Sequence, residues 1–253
     1  MKNLILSISL LFSFSLSAQY AVMSAVDLNE GGEQEYLALE EFFSAINKEA
    51  VKQGLQTGQY VYKRTPKEGD EANAPEYFIF NTYSSMEQMQ QGINWQELAL
   101  KVYKGKMSKR AITRMLDNSR YNAEKERRSY VFKVVDATIR AGGAVKVGDK
   151  GTINLMNKKS DDFEKYESEV WKPVAEKNIL LGNLRHWVLV EAIDRSENAY
   201  DGWTHMVWNL GVKNQGGWDV PSGFKWDKLW EGIESSRDMA DSTELTCVYS
   251  TED

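Results

Sequence analysis

The spacing of hydrophobic residues changes period repeatedly along this chain, and each change marks an element. From Tyr20, the run Ala21 to Val26 alternates with period two and predicts a strand. Glu30-Gly31-Gly32 breaks it, and Tyr36, Leu39, Phe42, Phe43, Ile46 and Ala50 then recur at intervals of three and four. That spacing predicts an amphipathic helix ending near Gly54. Gln59 to Lys63 and Tyr77 to Phe80 read as strands around a polar loop, Thr65 to Pro75. Helical segments follow from Ser85 to about Arg128, and Tyr130 to Val135 reads as a fourth strand. A glycine-rich joint, Ala141 to Ala144, precedes a second series. Gly151 to Met156 is a strand, and Asp161 caps a helix running through Phe163, Tyr166, Val170, Trp171 and Val174. Pro173 kinks that helix or restarts it. Strands Leu184 to Ile193 and Trp203 to Asn209, a helix from Trp226 to about Met239 and a strand from Leu245 to Tyr249 complete the chain.

Both halves thus read βαββαβ. Local matches support a duplication: Phe78-Ile79-Phe80-Asn81 aligns with Met206-Val207-Trp208-Asn209, and Asn94-Trp95-Gln96-Glu97-Leu98 with Lys225-Trp226-Asp227-Lys228-Leu229. The predicted class is α+β, two ferredoxin-like repeats whose antiparallel sheets pack into an α/β barrel. The expected organisation is a leader over 1–18, a first repeat over 19–140 with a helical insertion at about 100–128, and a second repeat over 145–253. This order and its duplication resemble the dimeric α/β-barrel superfamily in its tandem, single-chain form. The resemblance implies ligand pockets between the sheet and its helices. The superfamily includes antibiotic-biosynthesis-type monooxygenases, haem-degrading monooxygenases, chlorite-dismutase-like haem proteins and members without known activity.

Composition narrows the classes. The chain has 253 residues, a net charge of −6, one cysteine and two histidines. A single cysteine excludes an internal disulfide and a cysteine zinc site. Cys247 lies in the apolar run Leu245 to Tyr249 and reads as a buried strand residue. Lys2, the uncharged apolar run Leu4 to Leu16 and Ser17-Ala18-Gln19 have the layout of a secretory signal peptide. The mature chain is therefore expected in the periplasm or outside the cell, without a transmembrane segment.

Candidate chemistry is sparse. His186 and His205 fall on the two strands of a predicted hairpin, with His186 opposite about Trp208 and His205 opposite about Leu189. At ~3.3 Å per residue they stand about 13 Å out of step, too far apart for one metal. No metal and no cofactor is expected. The resemblance adds that haem-degrading relatives ligate iron through a histidine on the second helix, where this chain carries Trp95 and Trp226 and no histidine. Relatives that oxidise without a cofactor use Asn and Trp beside an aromatic substrate, which makes Asn81 and Asn209 candidates. His205, Asn209 and His186 are the candidate catalytic residues. Seven of eight tryptophans follow residue 170. Trp187, Trp203, Trp208, Trp226 and Trp230, with Asn81, are the candidate ligand-binding set, lining an apolar cavity in the second repeat. The loop Asn214 to Gly223 would form its rim; it lacks phosphate-cradle spacing.

One segment opposes the acidic average. Residues 101–128 carry a net +7, and Ala111, Ile112, Met115 and Leu116 give that segment an apolar stripe. Lys109, Arg110 and Arg114 are candidate contacts for an anionic surface. Nucleic acid is not an expected partner of an exported acidic protein. The leading expectation is an exported protein binding a small apolar or aromatic ligand. The alternatives are a monooxygenase-like oxidoreductase and an interaction module acting through the basic helix.

Overall fold

The computed structural model describes residues 18–70, 74–117, 123–211 and 217–253. All but the last residue of the expected leader lies outside them, as does part of the loop before Gly217. The first half comprises β1 (Tyr20–Leu28), α1 (Glu33–Lys52), β2 (Gly58–Arg64), β3 (Tyr77–Tyr83), α2 (Met86–Gln90), α3 (Trp95–Val102), α4 (Lys109–Asp117) and β4 (Glu124–Ala137). The second comprises β5 (Lys150–Lys158), α5 (Phe163–Tyr166), a π turn (Glu167–Trp171), α6 (Lys172–Leu180), β6 (His186–Arg195), β7 (His205–Leu210), α7 (Phe224–Ser236), β8 (Arg237–Met239) and β9 (Thr243–Ser250).

The strands form one antiparallel sheet in the order β7-β6-β4-β1-β3-β2-β9-β5-β8, and β7 also pairs with β5. That last pairing closes eight strands into a barrel and leaves β8 attached at the end of β5. The halves are not two sheets laid face to face. They are zipped edge to edge, β4 on β6 and β2 on β9, which leaves no long open edge to template aggregation.

Period-two alternation sends one set of side chains inward and the other toward the helices. Inside the barrel lie Met23, Tyr60, Tyr62, Phe80, Phe132, Val190, Met206 and Cys247. An eight-stranded barrel is just wide enough for side chains to fill, and aromatic rings do so here. Trp208 stacks on Phe80 with ring centroids 5.4 Å apart and planes 3° apart. Burial pushes the Cys247 thiol up to about 12, so it is an unreactive packing residue.

The helix-facing sides of the two halves differ. On the first, Leu39, Phe42, Phe43 and Ile46 of α1 pack against Leu98, Ala99 and Ile112, with Trp95 edge-on to Phe43. On the second, the helix after β5 is interrupted. The π turn absorbs an extra residue, and Pro173 sits in the first turn of α6, where its missing N–H costs nothing. Gly232 lets α7 approach closely: a Cβ there would fall 2.5 Å from the Tyr166 ring.

Several boundaries move from the sequence reading. Ala123 is still helical, but Lys125, Arg127 and Arg128, expected in or beside the helical run, belong to β4. A long strand survives there because its charges are paired: Arg127 with Glu124, and Lys125 with Asp27. Asp162 rather than Asp161 precedes α5, and its side chain makes no capping hydrogen bond. The helix expected to reach Met239 ends at Ser236, where Arg237 turns extended to join the edge of β5.

Candidate functional site

Between the second-half sheet and its helices lies a cavity of about 380 Å³. Alternate residues of β5 and β7 form its floor: Thr152, Asn154, Met156, Val207 and Asn209. Trp171, at the end of the π turn, Trp230 of α7 and Trp218 form the walls. Trp171 stacks on Trp218 (5.5 Å, 11°) and lies 5.6 Å from Trp230. Trp218 is held by a buried clamp. The Asn178 side chain accepts from Asp219 N (2.8 Å) and donates to Asp219 O (3.1 Å), while Asn183 donates to Gly217 O.

The polar groups at the floor are unusual for so apolar a space. Glu167 is fully buried, and Arg237 is 7% exposed. The π turn delivers Glu167 and β8 delivers Arg237, and the two form an ion pair. Arg237 Nη1 also reaches Met156 Sδ at 3.2 Å. Burial lowers the guanidinium to about 10, which leaves it charged at neutral pH. Neither carboxylate oxygen of Glu167 makes a hydrogen bond among the described residues. Asn209 donates to Thr152 Oγ1 (3.2 Å), and its own Oδ1, also buried, accepts nothing among the described residues. These acceptors are closed to solvent, and a buried acceptor without a partner is costly.

The candidate residues fall in different places. Asn209 and Trp230 line the cavity, and Trp226 stacks behind Trp230 at 6.2 Å. Trp187 lies beneath the cavity, packed with Phe163, Leu189 and Val207. Trp203 and Trp208 are inside the barrel, on the opposite face of the sheet. Asn81 is on β3 of the first half, whose helix-facing side is filled. The expected hairpin register is off by two residues: Val188, not His186, stands opposite Trp208, because the connection between β6 and β7 is longer than a tight turn. His186 pairs with Leu210 and His205 with Glu191. The two histidines lie on opposite faces, His186 with the inward set and His205 with the outward set. His186 Nδ1 is 3.1 Å from Thr138 Oγ1, and burial holds its pKa down at about 4. His205 Nδ1 is 2.9 Å from Thr204 Oγ1, its Nε2 is 3.4 Å from Glu164, and burial lowers its pKa as well.

Neither histidine lines the cavity, and no cluster of three metal-ligating side chains occurs among the described residues. The lining set offers no imidazole to a haem iron, and Met156 Sδ is engaged by Arg237, so the residues present do not fit that group. Glu167, Arg237, Trp171 and Trp218 were absent from the sequence-derived site. The signal that could have found Glu167 is its place four residues after Phe163 on a helix's buried face, where a carboxylate is out of pattern. The same spacing occurs in the first half, Tyr36 and Glu40, and Glu40 also has an arginine, Arg127, at 3.9 Å.

No sequence-family model and no curated protein matches the chain. Solved structures do. A monooxygenase candidate from Lactobacillus acidophilus superposes with a TM-score of 0.55 at 10% identity, covering 92% of this chain and 96% of that one. A second monooxygenase candidate, from Fusobacterium nucleatum, gives 0.54 at 11% identity, covering 92% and 94%. An anthrone oxidase-like protein gives 0.51 at 11% identity, covering 92% and 93%. The chain therefore shares the fold of the dimeric α/β-barrel proteins, closed here within one polypeptide.

Proposed function

We propose that this protein binds a small, flat, largely apolar ligand in the cavity of its second half. The observation that carries this reading is a wall of three indole rings, Trp171, Trp218 and Trp230, over a floor formed by alternate residues of β5 and β7. A cavity of about 380 Å³ falls within the range of small-molecule sites. Titrating the protein with fused-ring aromatics by calorimetry and tryptophan fluorescence tests it. Binding should weaken in Trp230→Ala and Trp218→Ala and persist in Trp203→Phe, whose ring is inside the barrel. No heat and no quenching with any aromatic would refute it.

The monooxygenase reading places the chemistry in the same cavity. Asn209 would contact the substrate, and His205, whose imidazole is outside the lining, would act only through its neighbours. The leading reading needs no turnover. Strand order supports the duplication: β4-β1-β3-β2 and β9-β5-β7-β6 are the same order repeated, in keeping with two ferredoxin-like repeats over 19–140 and 145–253. A second binding reading concerns α4, where Lys109, Arg110 and Arg114 are exposed and have no ion-pair partner among the described residues. They support contact with an anionic surface.

A further inference from the structure

We propose that the ligand of this cavity carries an unbranched alkyl chain on its flat ring system, and that the chain leaves the cavity across Val220 and Met239. This assignment rests on the cavity being the ligand site, and it adds the part of the ligand that meets the cavity's mouth.

The closed end and the mouth are distinguishable residue by residue. Thr152, Met156, Val207 and Asn209 line the cavity and are buried, whereas Val220 and Met239 line it and are 40% and 52% exposed. A side chain that borders a cavity and is half in water stands where the cavity opens. Three residues of β8 trace the same axis. Alternation puts Arg237 and Met239 on one face of that strand and Asp238 on the other, where it pairs with Lys159. The lining on β8 thus runs from a buried position at Arg237 to an open one at Met239. On the Trp218 side, Val220 follows Asp219, whose backbone is held by Asn178, so its place at the mouth is fixed by the fold.

The polar side chains near the mouth are already engaged. Asn154 and Ser242 also line the cavity, and Asn154 Nδ2 donates to Ser242 Oγ at 2.8 Å. Single exposed apolar side chains need no explanation, but two on separate elements bordering one cavity form an apolar exit from it. A protein partner does not account for them. One valine and one methionine fall far short of the ~800 Å² that each side buries in a stable interface. An alkyl chain attached to a ring among the indoles gives both side chains an apolar partner and removes its own methylenes from water. Met239, unbranched and flexible, adapts to such a chain. An ether chain would lose hydrogen bonds to water there without replacing them.

The experiment uses the whole chain and one ring with graded substituents: naphthalene, its 2-methyl, 2-ethyl and 2-butyl derivatives, and 2-(2-methoxyethyl)naphthalene, which matches butyl in length. Dissociation constants are read by calorimetry and by tryptophan quenching. Affinity should rise about two- to fourfold with each added carbon, fourfold corresponding to complete burial of a methylene. The methoxyethyl compound should bind at least about fivefold more weakly than the butyl compound. The double variant Val220→Thr/Met239→Gln keeps the shape of the exit and makes it polar. In it the gain per carbon should fall below about 1.5-fold. If wild-type protein binds the butyl compound no more tightly than naphthalene, or the methoxyethyl compound as tightly as the butyl one, the chain assignment is overturned while the cavity remains a ligand site. An undiminished gain in the double variant overturns it too, because the chain then runs elsewhere. If none of the five binds, both readings are overturned. The wild-type series can overturn the assignment even if the double variant does not fold.

Discussion

Glu167 and Arg237 meet at the floor of the second-half cavity although 70 positions separate them in sequence. A π turn brings one and a three-residue edge strand brings the other. A helix continuing to Met239 would carry Arg237 away from β5 and from this contact.

The pair gives a stability prediction. Removing one partner leaves the other charge buried and uncompensated, at a cost of about 3–5 kcal/mol. Glu167→Met or Arg237→Met alone should be destabilised by that amount in urea unfolding. The double variant should recover most of the loss, since two thioether chains of similar volume replace a desolvated ion pair. Additive losses in the double-mutant cycle would show that the two side chains act independently.

The Trp218 wall gives another. Asn178 is fully buried and makes two hydrogen bonds to the backbone of Asp219, one residue from the indole. Asn178→Leu keeps the volume but leaves the Asp219 amide and carbonyl without these partners. The expected loss is about 1–3 kcal/mol of stability. Near-ultraviolet circular dichroism should also change as Trp218 leaves Trp171, and aromatic ligands should bind more weakly. An unchanged spectrum and affinity would mean that the loop holds its place without the clamp.

Much of the barrel was legible because its signals are local. Short apolar runs at Tyr77 to Phe80 and Leu245 to Tyr249 mark strands, and the three-four spacing from Tyr36 to Ala50 marks α1. The charged strand Glu124 to Tyr130 was not legible, since its partners Asp27 and Glu40 are distant in sequence. At the site, Trp230 and Asn209 were visible as residue types. Trp203 and Trp208 were grouped with them because residue type does not report which face of a closed sheet a side chain takes. Glu167 keeps the helical period after Phe163, but its partner Arg237 is 70 positions away, so their pairing has no local signal.

The basic helix gives a prediction independent of the cavity. Lys109, Arg110 and Arg114 are exposed on α4, while Ile112 on the same helix is buried against α1 and α3. Changing the three to glutamine removes charge without touching the packed face, so stability should move by no more than about 0.5 kcal/mol. Retention on vesicles containing anionic phospholipid should fall, and more salt should weaken wild-type retention in the same way. Equal retention of variant and wild type would remove α4 as an anionic contact.

His186 sets the sign of the acid response. Burial, reinforced by the Arg140 charge, holds its pKa at about 4, against 6.5 for an unperturbed histidine. Between those values the unfolded chain binds a proton that the folded chain refuses, so acid favours unfolding and stability falls as pH drops through 6.5 toward 4. His205 is lowered too, and adds in the same direction. The partly buried His186 should contribute a loss of about 1–2 kcal/mol between about pH 7.5 and pH 5. His186→Gln cannot take up that proton in either state. It should be less stable than wild type near pH 7.5, where it perturbs the contact with Thr138, and should close the gap or overtake wild type near pH 5. Urea midpoints at about pH 7.5, 6 and 5 measure this directly. A constant difference between the two proteins across that range would show that His186 is as readily protonated in the fold as outside it.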